Sequence, residues 1–291
     1  KVLLLNNEPY FFNGLLDQGF YPDGLYLPAN IDGFIFDILK MKELGFNTLR
    51  KHIKVEPLIW YHLCDKLGMI VWQDMVNNSP YSFFHDTILP TLGFQSKNDE
   101  KRPIPAENKK IFIDSMKETV SLLYNSPSIV LWTIFNEGWG QFNSVKVTEI
   151  LRQIDNTRLI DSTSGWFDQK VSDLLSLHIY FKKIRLKKDK RPIIISEFGG
   201  YSYKISEHSY SLDKTYGYRF FRDEGSFRQA FIELYEKQII PNIEKGLSAA
   251  IYTQVSDVEE ETNGILTYDR QICKLDVNET KALNNRVKYG K

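Results

Sequence analysis

Ile129-Val130-Leu131-Trp132-Thr133-Ile134-Phe135-Asn136-Glu137 is a run of β-branched and aromatic residues without polar alternation, and it stops on an acid. Pro192-Ile193-Ile194-Ile195-Ser196-Glu197 repeats the pattern further along. Runs of this kind read as strands covered on both faces, the habit of parallel sheets. An ionised carboxylate is costly inside such a strand, so each Glu is expected where its strand emerges. In α/β barrels the C-terminal strand ends form the floor of the active site. Two Glu residues there have the chemistry to act as proton donor and nucleophile on a glycosidic bond. The alternative is a pair of strand-end acids held by basic partners; their occurrence together favours catalysis.

Working outward, an amphipathic helix, a glycine and a hydrophobic strand recur. Asn30 caps a helix with Ile31, Phe34, Ile35, Ile38, Leu39 and Met41 at helical spacing; Gly45 ends it, and 46–50 follows as a strand. Pro57 opens Leu58–Leu67, and Gly68 ends that helix before a strand at 69–74. The echo of Lys42-Glu43-Leu44-Gly45-Phe46 in Asp65-Lys66-Leu67-Gly68-Met69 marks two successive β-α units. Residues 77–105 read as a long excursion that carries part of a cleft wall. Helices are expected at 108–124, Ser144–Ile154, 227–245 and 275–289. Strands at 10–16, 158–162, 173–180 and 247–254 bring the strand count to eight. Alternating strands and helices predict a parallel sheet, and eight units predict closure into an α/β fold, a (β/α)8 TIM barrel in a single domain over 1–291. An open doubly wound sheet is disfavoured because no Gly-rich phosphate loop follows the first strand.

The 291 residues carry 37 Lys and Arg against 37 Asp and Glu, and the balance points to no nucleic-acid or membrane partner. The local basic run Lys182-Lys183-Ile184-Arg185-Leu186-Lys187-Lys188 reads as a solvated loop or helix face. The 19 Phe, 16 Tyr and 5 Trp suit a thick core and a sugar-stacking cleft alike. Cys64 and Cys273 stand in no metal spacing and read as free buried thiols. No stretch is long and apolar enough to span a bilayer. Lys1-Val2-Leu3-Leu4-Leu5 is too short for a signal-peptide core and runs into a turn at Asn6-Asn7, so the expected location is cytoplasmic and the segment reads as cut from a longer chain.

Asn125-Ser126-Pro127-Ser128-Ile129-Val130-Leu131-Trp132, followed by Asn136-Glu137, resembles the acid/base segment of glycoside hydrolase family 2, which includes β-galactosidases, β-glucuronidases and β-mannosidases. That family usually has His where this chain has Ser126. Ile195-Ser196-Glu197-Phe198-Gly199-Gly200 resembles its nucleophile segment, Asn47-Thr48-Leu49-Arg50 its second-strand arginine, and Val71-Trp72-Gln73-Asp74-Met75 its third strand. Phe135-Asn136-Glu137-Gly138-Trp139-Gly140-Gln141-Phe142 and Tyr252-Thr253-Gln254-Val255-Ser256-Asp257-Val258-Glu259 resemble a bacterial subgroup more narrowly. The resemblance covers nearly the whole chain but only the catalytic barrel, and it implies β-sandwich domains elsewhere in the full-length chain.

The resemblance implies a retaining, exo-acting β-glycosidase with a carbohydrate substrate, no cofactor and no metal. Its rivals are an endo-β-glycanase of the same clan and a non-catalytic carbohydrate-binding pseudoenzyme. Glu137 is the expected acid/base, in an apolar setting that Trp139 would supply, and Glu197 the nucleophile, with the carboxyl groups about 5 Å apart. Asn136 would donate to the sugar 2-hydroxyl. Arg50 and Tyr180 would hold Glu197, a core tyrosine being the alternative for Tyr180. Alternation places Arg50 and His52 on one face with Lys51 opposite, and leaves His52 between binding and structure. Asp74 would bind a sugar hydroxyl or cap a helix; Trp139 and Trp166 would stack on sugar or pack. His178 joins the substrate-binding set from the strand ending in Tyr180. Tyr252 and Gln254 stand where the family's eighth strand usually offers tryptophan, which speaks against galactosidase-like specificity; Gln254 is expected on substrate. Glu259-Glu260-Glu261 reads as solvated surface.

Overall fold

The computed structural model of the chain describes residues 1–81, 90 and 98–289. Much of the expected excursion, 82–89 and 91–97, lies outside the described residues. In chain order the principal elements are β1 (Phe12–Asp17), α1 (Ile31–Glu43), β2 (Thr48–Lys51), α2 (Leu58–Leu67) and β3 (Ile70–Asp74). Next come α3 (Ala106–Leu123), β4 (Ile129–Asn136), α4 (Ser144–Ile154), β5 (Leu159–Ser164) and β6 (Leu175–Ile179). The last are β7 (Ile193–Gly199), α5 (Glu224–Leu234), β8 (Leu247–Thr253) and α6 (Val277–Asn284).

Local chemistry sets these boundaries. The Asn30 side chain accepts the Asp32 N–H and starts α1; Gly68, at φ 69° and ψ 47°, ends α2 in the left-handed conformation that favours glycine. Asp276 caps α6 by accepting the Glu279 N–H. The helix expected over 227–245 begins earlier, at Glu224, because Asp223 caps it through the Ser226 N–H. It then widens into a π-turn over Tyr235–Ile239, closed by the Ile240 N–H on the Tyr235 carbonyl, before a last turn at Ile240–Ile243. Pro241 explains the change: it has no N–H to give and its ring crowds the preceding turn, so the helix loosens ahead of it.

The chain forms two compact units, Lys1–Arg50 with Ile179–Lys291, and Lys51–His178. In the first, β8 runs parallel between β1 and β7: Ala250 faces Asn13 on one side and Ile195 on the other. First and last strands therefore pair, as a closed barrel requires. Every residue of β1, β7 and β8 is buried, which is why these strands show no polar alternation with a solvent-facing side. The Asn284 side chain accepts from Asn13 Nδ2 at 2.9 Å and donates to the Leu44 carbonyl at 2.8 Å, pinning α6 to β1 and satisfying an acceptor at the end of α1.

In the second unit β4 runs parallel between β3 and β5, with Gln73 opposite Trp132 and Leu131 opposite Leu159. Asp155, fully buried after α4, accepts from Trp132 Nε1 at 2.8 Å, from both donors of Thr157 and from Arg158. Burial pushes the Asp155 pKa up, but these hydrogen bonds pull harder and hold it well below the usual carboxylate range. Lys51, with Nζ 2.8 Å from Glu56 Oε1 and 4.3 Å from the centre of the Trp60 ring, is buried in an ion pair.

The helical layer is less regular than the sequence pattern suggests. Among the described residues, neither the connection 165–174 between β5 and β6 nor 180–192 between β6 and β7 contains a helix. Both cysteines are free, Cys64 buried and Cys273 partly so.

Candidate active site

Each unit holds one of the two glutamates at or just past a strand's C-terminal end. In the first unit Glu197 lies near the end of β7, with 5% of its surface exposed. Arg50 of β2, wholly buried, donates from Nη1 to Glu197 Oε1 at 3.1 Å and to the Ser196 carbonyl at 3.0 Å. The second carboxylate oxygen accepts the Tyr180 hydroxyl at 2.5 Å. That hydroxyl also lies 3.1 Å from Thr253 Oγ1 at the end of β8, and the Tyr180 ring stacks on Tyr218 with centroids 3.8 Å apart. Both oxygens of Glu197 are thus held by donors, which fixes the orientation of the carboxyl group. Gly199 permits the strand end to sit so close to β8: its φ is +83°, and a Cβ there would fall 2.2 Å from the Tyr252 ring.

In the second unit β4 stops at Asn136, one residue short of the expected strand end. Glu137 itself takes the left-handed conformation, φ 52°, followed by Gly138 at φ 70°, while its N–H donates to the Ser164 carbonyl at 2.9 Å. This turn lifts the Glu137 carboxyl out of strand geometry and leaves its side chain 28% exposed. Glu137 Oε1 lies 2.8 Å from His178 Nδ1, and His178 Nε2 lies 3.0 Å from Ser164 Oγ. An imidazole nitrogen donates to a carboxylate or accepts from a carboxylic acid according to its tautomer, so this partner serves both protonation states of Glu137. Gly165 makes room for the ring: a Cβ there would meet His178 Cγ at 2.7 Å.

The remaining expected residues take definite places. Asn136 is 7% exposed beside Glu137. Asp74, buried at the end of β3, holds His52 Nδ1 at 3.1 Å. Trp139, expected to give Glu137 an apolar setting, donates its indole N–H to the Ser79 carbonyl at 2.7 Å and stands edge-on to Tyr81. Trp166 lies with its ring 6.4 Å from His178, itself expected on substrate and found on Glu137. Gln254 is engaged with protein at both ends of its amide. It donates to Asn263 at 2.7 Å and Glu261 at 2.6 Å, and accepts from Gln18 at 2.9 Å. Glu261, expected as plain surface, is part of that network. Sequence reasoning missed Ser164, Thr253 and Tyr218; small polar residues at strand ends and one more tyrosine give no signal of their own. It also missed Arg102, which donates to the Gly138 carbonyl and lies 5.1 Å from the Phe167 ring, bracing the turn after Glu137.

The family model described as glycosyl hydrolases family 2, TIM barrel domain, matches residues 1–289. A β-galactosidase of Leuconostoc mesenteroides is 25% identical over 217 residues, covering 68% of this chain and 19% of that one. A β-galactosidase of Priestia megaterium is 27% identical over 180 residues, covering 57% and 16%. Among solved structures, a β-galacturonidase from Eisenbergiella tayi bound to galacturonate superposes with a TM-score of 0.70 at 19% identity, covering 98% of this chain and 53% of that one. A β-glucuronidase of Dictyoglomus thermophilum gives 0.69 at 16%, covering 98% and 53%. The chain spans under a fifth of these galactosidases and about half of these uronidases. The shared fold is the (β/α)8 barrel.

Proposed function

Because the chain belongs to the glycosyl hydrolases of family 2, as their TIM barrel domain, we propose that it is the catalytic part of a retaining, exo-acting β-glycosidase. The observation that carries the reading is the hold on Glu197: a nearly buried carboxylate whose two oxygens are separately fixed by Arg50 and Tyr180. Such a group is costly to bury and is oriented for attack rather than for packing. In the first step Glu197 attacks the anomeric carbon while Glu137 gives its proton to the departing glycosidic oxygen. In the second, Glu137 takes a proton from water, which displaces Glu197 and leaves the anomeric configuration unchanged overall. His178 positions Glu137 through both steps, and Asn136 is the donor to the sugar 2-hydroxyl.

A screen of aryl β-glycosides (galactoside, glucuronide, galacturonide, mannoside, glucoside) tests the activity. Glu197→Gln should abolish turnover with the fold intact, because an amide does not form the glycosyl ester. Glu137→Ala should still react with substrates whose leaving groups need little protonation, and added azide should then yield the β-glycosyl azide. An α-azide product would refute retention by these two residues.

A further inference from the structure

Among the described residues the connection 180–192 has no helix, and cavities lie between it and the helical stretch 224–245. Two cavities, of about 310 and 300 Å³, share the lining of Lys183, Ile184, Tyr201, Arg219, Leu234 and Gln238 and form one groove. The Ile184 N–H donates to Gln238 Oε1 at 2.9 Å, fixing the loop along the groove's length. At one end lie Tyr180, the side chain that holds Glu197, and Phe181, 70% exposed and edge-on to Tyr218 at 5.4 Å. At the other end lies Lys245.

The charge of this groove is one-sided. Lys182, Lys183, Arg219, Lys237 and Lys245 line it against the single acid Glu233, which is itself tied to Lys237 at 2.8 Å. Among the described residues Lys182, Lys183 and Lys245 form no ion pair, and Arg219 acts together with Lys237 on Glu233, so the acid is outnumbered. The Arg219 guanidinium is held over the Tyr201 and Phe221 rings, at 5.4 and 4.9 Å. In a chain with zero net charge this is a local concentration of cations, and part of it is the basic run whose sequence reads as mere solvated surface. The exposed Phe181 ring and the half-buried Tyr218 ring beside the nucleophile's tyrosine offer faces for sugar rings, and the cations beyond them match carboxylate or sulfate groups.

We propose that this groove binds a carboxylate- or sulfate-bearing oligosaccharide, which makes the substrate class an acidic glycan. The inference deepens the hydrolase reading and rests on it for the role of the bound glycan as substrate. Binding is measured by calorimetry on Glu197→Gln, which does not consume the ligand, with oligogalacturonate, sulfated dextran oligosaccharide and a neutral gluco-oligosaccharide of equal length. The acidic probes should bind at least tenfold more tightly than the neutral one, with affinity falling as salt rises. Lys182→Glu/Lys183→Glu and, separately, Arg219→Gln/Lys245→Gln should each lose that affinity tenfold or more. All four residues are exposed, so the fold should survive, as circular dichroism would verify. In the Glu197-intact background the same changes should leave turnover of a small aryl β-glycoside within twofold. Equal binding of acidic and neutral probes, unchanged affinity in both double variants, or binding of duplex DNA as tight as that of the acidic glycans would each overturn the proposal. Should no aryl glycoside be cleaved, the hydrolase reading fails, and the binding comparison still decides the groove.

Discussion

Replacing Tyr180 by Phe removes one hydroxyl and keeps the ring, its stacking on Tyr218 included. Two contacts go: the 2.5 Å bond to Glu197 and the 3.1 Å contact with Thr253. A hydrogen bond to a charged group contributes about 1.5–3 kcal/mol. Glu197 is only 5% exposed, so water does not readily fill the vacated position and the upper part of that range applies. At about 1.36 kcal/mol per decade, a loss of about 2–3 kcal/mol slows the reaction roughly 30- to 150-fold. The folded protein loses the same bond and the contact with Thr253, so stability should fall as well, by about 2–4 kcal/mol, and the rate is the readout that separates a role in turnover from a structural one. The assay is kcat/KM on whichever aryl β-glycoside the wild type cleaves, beside a thermal melt. A variant with unchanged kcat/KM and a Tm lower by about 10 °C or more would refute the argument and make Tyr180 a structural residue.

Three further outcomes are expected. His178→Phe should slow substrates with poor leaving groups about 10- to 100-fold and activated aryl substrates much less, since only the former need the proton that Glu137 delivers; an equal loss across leaving groups would rule out that role. Asp155→Asn should lower stability by about 3 kcal/mol near neutral pH, because it unbalances a buried charge and its donors. Since the native Asp155 pKa lies below its ordinary value of about 3.9, the stabilisation is complete above that pH and fades as pH falls. The gap between the two melting curves should therefore narrow toward pH 3, and a gap independent of pH would count against it. Gly199→Ala should cost about 3 kcal/mol from a left-handed backbone and a Cβ pressed on Tyr252, seen as a fall in Tm; an unchanged Tm would show that this strand end is free to move.

Strands were legible where burial on both faces left unbroken apolar runs, as in β4 and β7, and helices where a cap or a glycine marked the end, as in α2. The π-turn before Pro241 was not legible, because its cause lies in how a helix accommodates a missing donor rather than in the apolar period. The two helix-free connections also escaped notice, since eight strand signals imply eight repeats but do not test what lies between them. Around Glu197, Arg50 and Tyr180 were readable from strand alternation and family likeness. The place of His178 was not, although it stands two positions before Tyr180 and so shares its side of the strand. The partner of the Trp139 indole N–H was not legible either, because the Ser79 carbonyl stands 60 positions away and no local pattern announces it.

The pairing of β1 with β8 has a consequence for how the chain is made. A strand synthesised first waits for a partner that emerges from the ribosome only when nearly all the described chain has been translated. Until then a strand that is wholly buried in the finished fold, Phe12 to Asp17, exposes backbone donors and acceptors along one edge. A nascent chain halted before Leu247 would present two such edges at once, on β1 and β7, so premature termination should produce insoluble material rather than a smaller soluble barrel.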